Sequence, residues 1–232
     1  MAANTSTRLG RDVSGYVPDR RAVSGYLELT QREAAIWELA RPYLHVRNND
    51  GHTLYAYGIA HALCEIIPEA DRDIALPAIL LHDVGWSTVP DSEILEAIAP
   101  PDGRHELVLQ HEREGARIAR DILSGFADLA GRVDDIAAII DGHDTRSEPL
   151  SQEDAIVKDS DKIWRLTPHG LRTVMGWFDL SYDEALRLCC ARVLGSLFTA
   201  EGRAMAAALA AVASLDLSPQ GTALSNPISG KP

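Results

Sequence analysis

The stretch "AILLHDVGWS", residues 78–87, constrains this chain more than any other: His82 and Asp83 stand side by side at the end of a continuous apolar run. Such a run belongs in a core, where an imidazole and a carboxylate without partners are costly. A fold that buries this pair must supply a counter-charge, a hydrogen-bond network or a metal ion.

Around the run the periodicity is helical. "LTQREAAIWELARPYL" opens with Thr30 and Glu33 in capping-box spacing, has Leu29 as a staple and is expected to end near Pro42. Ser181 and Glu184 repeat that signature in "SYDEALRLCCARVLGSLF". Amphipathic segments are predicted at about 51–66, 76–84, 92–99, 105–124, 133–143, 152–165, 168–178 and 201–214. No alternating segment competes as a strand, and no repeat appears at solenoid periods. The expected fold is all-α, an irregular helical bundle.

At 232 residues, 46% of them hydrophobic, the chain can build one sizeable core, expected over 26–215 with a metal-binding part at about 50–165. Segments 1–25 and 216–232 lack periodic apolar residues and are expected to be mobile. The balance of 22 basic against 34 acidic residues repels a polyanion, which argues against nucleic acid as a partner. Nothing reaches the roughly 18 apolar residues of a membrane span, and the N-terminus has no apolar signal centre. Cys64, Cys189 and Cys190 have neither disulfide-framework nor C-x-x-C spacing and read as small hydrophobes in a reducing compartment. The cytoplasm is the expected location; the oligomeric state is left open.

The histidines carry the chemistry. His52 shares a helical face with Ala56, Ile59, Ala60 and Leu63; His111 is in phase with Val108, Gly115, Ile118 and Ile122; His143 continues the phase of Val133, Ile136 and Ile140. Each alone reads as a core or helix-end histidine. Together with His82 and Asp83 they bring four imidazoles into one small interior, and a shared cation satisfies them all at once. In "EDAIVKDSDKIWRL" Asp159 shares a face with Ile156 and Ile163, and Asp161 one with Val157 and Trp164, so periodicity leaves both carboxylates open.

With these residues in view, the chain resembles the HD superfamily of metal-dependent enzymes. "GHTLYAYGIAHALCE" is similar to the helix of its first histidine, "AILLHDVG" to its central motif, and "VKDSDKI" to its closing helix, whose register selects Asp161. "HEREGARIARDIL" and "IAAIIDGHDTR" resemble the extra histidine helices of binuclear members. The resemblance implies a ligand set of His52, His82, Asp83, His111, His143 and Asp161, with His82 and Asp83 at the catalytic centre. It also implies two divalent ions (Mn, Fe, Co or Mg) bridged by Asp83 at about 3.5–4 Å separation.

Many hydrolytic members place a lysine or histidine just after the motif, where this chain has Trp86. Lys158, Lys162 and Arg165, which flank Asp161, and Arg146 are the cations that could substitute; Lys158, Lys162 and Arg146 are taken as candidates for binding a small-molecule substrate, with Trp86 as a pocket wall. The implied activity is a phosphohydrolase acting on a small phosphate ester or nucleotide through metal-activated water. The alternatives are a mixed-valence diiron oxygenase cleaving a C–C or C–P bond, which requires iron, and a metal-stabilised ligand-binding protein.

Overall fold

A computed structural model of the protein describes residues 10, 12–99 and 103–225. By contacts the chain divides into a segment up to Thr30 and a body from Gln31 onward. In the segment, two short 3-10 turns, Ser14–Tyr16 and Arg20–Ala22, have no buried residue. Its residues 1–9 and 11, part of the N-terminal stretch expected to be mobile, lie outside the described residues, as do 226–232 of the tail.

Among the described residues the body contains helices and no strand. They are α1 (Gln31–Ala40), α2 (Asn49–Ile66), α3 (Arg72–Leu81), α4 (Asp91–Ile98), α5 (His105–Leu123), α6 (Val133–Ile140), α7 (Gln152–Ile163), α8 (Pro168–Phe178), α9 (Tyr182–Val193), α10 (Ala200–Leu215) and α11 (Pro219–Ser225). The fold is all-α, as the periodicity predicts. Within the tail, α11 extends regular structure to Ser225.

The centre is α3, packed against α1, α2, α6 and α7. Every residue from Ala75 to Leu81 is buried, which is why this run reads as continuously apolar. Asp71 caps α3, its side chain accepting from the Asp73 amide. Later helices start on similar signals: Ser151, Thr167 and Thr199 cap α7, α8 and α10, and Ser181 with Glu184 forms a complete capping box on α9.

Two shifts from the predicted boundaries matter for the site. α3 stops at Leu81, so His82 and Asp83 lead into a 3-10 turn, Val84–Thr88, rather than lying within a helix. α6 stops at Ile140, and Gly142 takes the left-handed backbone (φ 122°), so His143 stands on the following turn. On α5 the stripe is rotated slightly from the predicted one: Leu107 and Leu123 are buried with His111, Gly115 and Ile118, whereas Ile122 is half-buried.

Cys64 and Cys189 are buried thiols, each pushed up to about 11 by burial, and Cys190 is half-buried; all three are free. No helix among the described residues is long and apolar enough to cross a membrane.

Candidate metal centre

His52 comes from the first turn of α2, His82 and Asp83 from the end of α3, His111 from the middle of α5, His143 from the turn after α6, and Asp161 from α7. All six are buried. Close packing between the 3-10 turn and α5 brings two of these elements together: a Cβ on Gly85 would lie 1.9 Å from the His111 carbonyl oxygen. Only glycine permits that approach, so the residue two beyond Asp83 sets the distance from the His-Asp pair to His111.

The six side chains form two lobes joined by Asp83. In the first, His52 Nε2 lies 3.0 Å from His82 Nε2 and 3.2 Å from both Asp83 Oδ2 and Asp161 Oδ1. In the second, His111 Nε2 and His143 Nε2 are 3.4 Å apart and lie 3.8 and 3.7 Å from Asp83 Oδ1. Each carboxylate oxygen of Asp83 thus faces a different lobe. A residue absent from the sequence-derived set joins the second: Asp144 Oδ2 stands 3.5 Å from His111 Nε2 and 3.7 Å from His143 Nε2.

Hydrogen bonding shows what the lobes lack. His82 and His143 each place Nδ1 against the carbonyl three residues earlier, Ile79 O at 2.8 Å and Ile140 O at 2.9 Å. Both carbonyls belong to helix C-termini, where the last C=O groups have no helical partner. A neutral ring donating from Nδ1 keeps a lone pair on Nε2, the atom that faces the other ligands. In that tautomer His82 Nε2 turns an acceptor toward the acceptor oxygens of Asp83, at 3.6 Å, and Asp161, at 3.8 Å. A cation satisfies this arrangement, and its nitrogen and oxygen donors suit a divalent metal. His52, His82 and Asp161 fit one ion; His111, His143 and Asp144 fit a second; Asp83 can reach both.

The electrostatics carry the same demand. Burial alone would raise the pKa of Asp83, but His82, His143 and His52 hold it well below the carboxylate range; Asp161 is held down by Arg165, His52 and His82 against the same burial. Burial and the neighbouring His143 push His111 down to about 3, which keeps it neutral. Burial also opposes a charge on His143, yet Asp144 and Asp83 outweigh it and push His143 up to about 10.

The open register of α7 is explained by its surroundings. This helix is buried on almost every side, so two carboxylates two residues apart can both face inward. Asp161 faces the metal lobes, whereas Asp159 accepts from the amides of Phe198 and Thr199, each at 2.8 Å, and from Thr199 Oγ1 at 2.6 Å. Both are buried, so neither is the solvated charge that acidic residues near a helix start commonly are.

For the substrate-binding candidates the structure gives other placements. Lys158 is 1% exposed, and its ammonium donates to the carbonyls of Gly142, His143 and Arg146 at 2.7–3.0 Å. Arg146 donates to Asp154 Oδ2 at 2.6 Å and to Ala138 O, and Lys162 donates to Ser196 O while lying over the Phe198 ring. These three line a cleft that also touches His143 and Asp144, and each donates to protein acceptors there. Trp86 is buried, stacked on His111 with ring centroids 3.9 Å apart, and donates to Asp83 Oδ1 at 3.1 Å. It orients two ligands and also lines the cavity over the metal lobes.

That cavity is lined by Arg165, one of the cations the sequence offers as a substitute, and by Arg47, which the sequence did not single out. Arg47 lies over the rings of Trp86 and Trp177, 5.2 and 4.8 Å from their centroids. Arg165 donates to the Asp161 carbonyl at 2.9 Å and approaches its Oδ2 at 3.4 Å. Arg47 and Asn48 both adopt left-handed backbone, φ 56° and 59°, a strain of about 1–3 kcal/mol each that surrounding structure must hold.

A buried, two-lobed cluster of imidazoles and carboxylates that could hold metal ions lies inside an all-α bundle. The sequence model of the HD domain matches residues 49–166, just over half of the chain, from the start of α2 to the turn after α7. The chain belongs to the HD domain family, a superfamily of metal-dependent hydrolases whose members bind divalent metals. No curated protein and no solved structure matches it.

Proposed function

We propose that the protein is a binuclear metal-dependent phosphohydrolase acting on a small phosphate ester. The observation that carries this reading is the pair of arginines beside the ligands. Arg47 and Arg165 line the same cavity as His52, Asp83, Asp144 and Asp161, and guanidinium groups are suited to bidentate contact with phosphate oxygens. They stand in for the lysine or histidine that Trp86 replaces.

His52, His82 and Asp161 would hold one ion, His111, His143 and Asp144 the other, with Asp83 between them. When bound, such ions polarise a phosphoryl oxygen and lower the pKa of a bound water toward neutrality. The protein's own part is orientation and charge. The Ile79 and Ile140 carbonyls fix the tautomers of His82 and His143, and Trp86 fixes both His111 and Asp83. Arg47, held between two indoles, can balance charge on the transferring phosphoryl group without moving far.

The test is phosphate release from a panel of phosphomonoesters, nucleoside monophosphates included, with Mn(II), Co(II) or Mg(II) under argon. Turnover without oxygen is the expected result. Silence across the panel, with substrate-dependent oxygen consumption by the iron-loaded protein, would instead establish the oxygenase reading.

A further inference from the structure

The two histidines of the first lobe are restrained in different ways. His82 fixes its ring through Nδ1 on the Ile79 carbonyl, whereas His52 Nδ1 is buried with no hydrogen-bond partner among the described residues. The backbone beneath His52 is no firmer. It stands in the first turn of α2, whose cap residue Asn48 has left-handed backbone and makes no capping side-chain bond. A helix terminus has few bonds of its own and opens easily, so both the ring and its turn need another restraint.

That restraint comes from the turn after α7 and the start of α8. Trp164 packs on His52 in a T-shaped contact, with ring centroids 4.4 Å apart and planes at 76°. Its indole Nε1 donates to His169 Nδ1 at 3.1 Å, and the His169 ring stacks on Tyr55 of α2 with centroids 4.3 Å apart. His169 also lies against Gly51, where a Cβ would come 2.9 Å from His169 Nε2. One imidazole thus touches α2 just before and just after His52 in sequence, and reaches the His52 ring through Trp164. Burial and the neighbouring Arg172 hold His169 below the usual imidazole range, so the neutral ring can accept from the indole at Nδ1. The clasp is anchored in turn: Thr167 caps α8, and a Cβ on Gly170 would lie 2.1 Å from the Trp164 carbonyl oxygen. His169 lies beyond residue 166, where the HD domain match ends.

Resting on the two-ion reading of the site and not on the phosphate ester, we propose that His169 is a positioning residue for the first metal lobe. By holding Trp164 it fixes the His52 ring, and by packing on Gly51 and Tyr55 it fixes the turn that carries that ring. A residue outside the matched domain thereby sets the affinity of the first ion, as hydrogen-bonded partners of metal ligands commonly do. The second lobe has no contact with this clasp among those that hold His111, His143 and Asp144.

The test is calorimetric titration of the full-length, metal-free protein with Mn(II). His169→Leu, which removes the acceptor, should weaken the first ion by about ten- to a hundredfold and the second by less than about threefold. On a His111→Ala background, expected to keep the first-lobe ion alone, the same loss should appear in full. His169→Asn, whose side-chain oxygen can accept from the indole, should bring the affinity back to within about threefold of wild type. Trp164→Phe keeps a ring on His52 but has no donor for His169, so adding His169→Leu to it should cost less than His169→Leu does alone. Unchanged first-ion affinity in His169→Leu would overturn the proposal, as would equal weakening of both ions or an Asn variant as weak as the Leu one. A wild-type protein that binds no Mn(II) would remove the two-ion reading itself, and the proposal with it.

Discussion

The two lobes of the metal centre are built differently. In the first, His52 and Asp161 project from long, buried helices and His82 from the end of the central one, with ligand atoms 3.0–3.2 Å from His52 Nε2. In the second, His143 and Asp144 stand on a turn, and Asp144 retains 34% side-chain exposure. Polar groups hold that turn. Glu112, beside His111 on α5, accepts from the amides of Asp144 and Thr145, each at 2.8 Å, and from Thr145 Oγ1 at 2.6 Å, while Lys158 gathers the carbonyls of Gly142, His143 and Arg146. Packing fixes the first lobe. A hydrogen-bonded clamp fixes the second, which makes the second the lobe that mutation can loosen on its own.

Asp83 is where the contrast disappears, since its two oxygens serve both lobes. Asp83→Ala is expected to remove both ions and bring activity to background, because it leaves the imidazoles of both lobes without their shared carboxylate. Metal content by elemental analysis checks this, and two retained equivalents would break the bridging assignment.

His111→Ala or His143→Ala sharpens the comparison further. Either should lose the second ion and keep one equivalent on His52, His82 and Asp161, with a rate loss of about ten- to a thousandfold. Stoichiometry by calorimetry should fall from two to one; loss of both ions would show that the lobes do not fill separately.

Smaller effects are expected one layer out. Glu112→Gln should weaken the second ion by about ten- to a hundredfold by loosening the turn, while first-lobe affinity is retained. A variant that weakens the first ion as much as the second would erase the distinction between packed and clamped lobes.

The smallest change at the centre is expected from Asp159→Asn. It should lower stability by about 1–3 kcal/mol, because charge-assisted bonds to Phe198 and Thr199 are lost, with two ions still bound. Denaturant unfolding and metal analysis on the same sample check both halves. Loss of an ion without loss of stability would place Asp159, not Asp161, in the ligand set.

How much of this the sequence carried follows from what kind of contact each residue makes. The burial of candidate ligands on helix faces was legible because a 3.6-residue period reports it, as with His52 and His111. Asp161 was not separable from Asp159 by period, since α7 is buried nearly all round and period distinguishes only an inside from an outside. Asp144 was missed although "GHD" repeats the adjacency in "LHD", because a turn has no periodicity to say where a side chain points. Arg47 was missed for the same reason: its left-handed backbone interrupts any register. Lys158 reads in sequence as a substrate-binding candidate because its partners are carbonyls of a distant turn, and main-chain acceptors leave no mark in sequence.

The central claim is that Asp83 joins two metal lobes, and anomalous diffraction from crystals of the Mn(II)-loaded protein tests it most directly. The account predicts two manganese peaks, one among His52, His82 and Asp161 and one among His111, His143 and Asp144, with Asp83 between them. A single peak in the first lobe at saturating Mn(II), with His111 and His143 bonded only to protein or water, would contradict it.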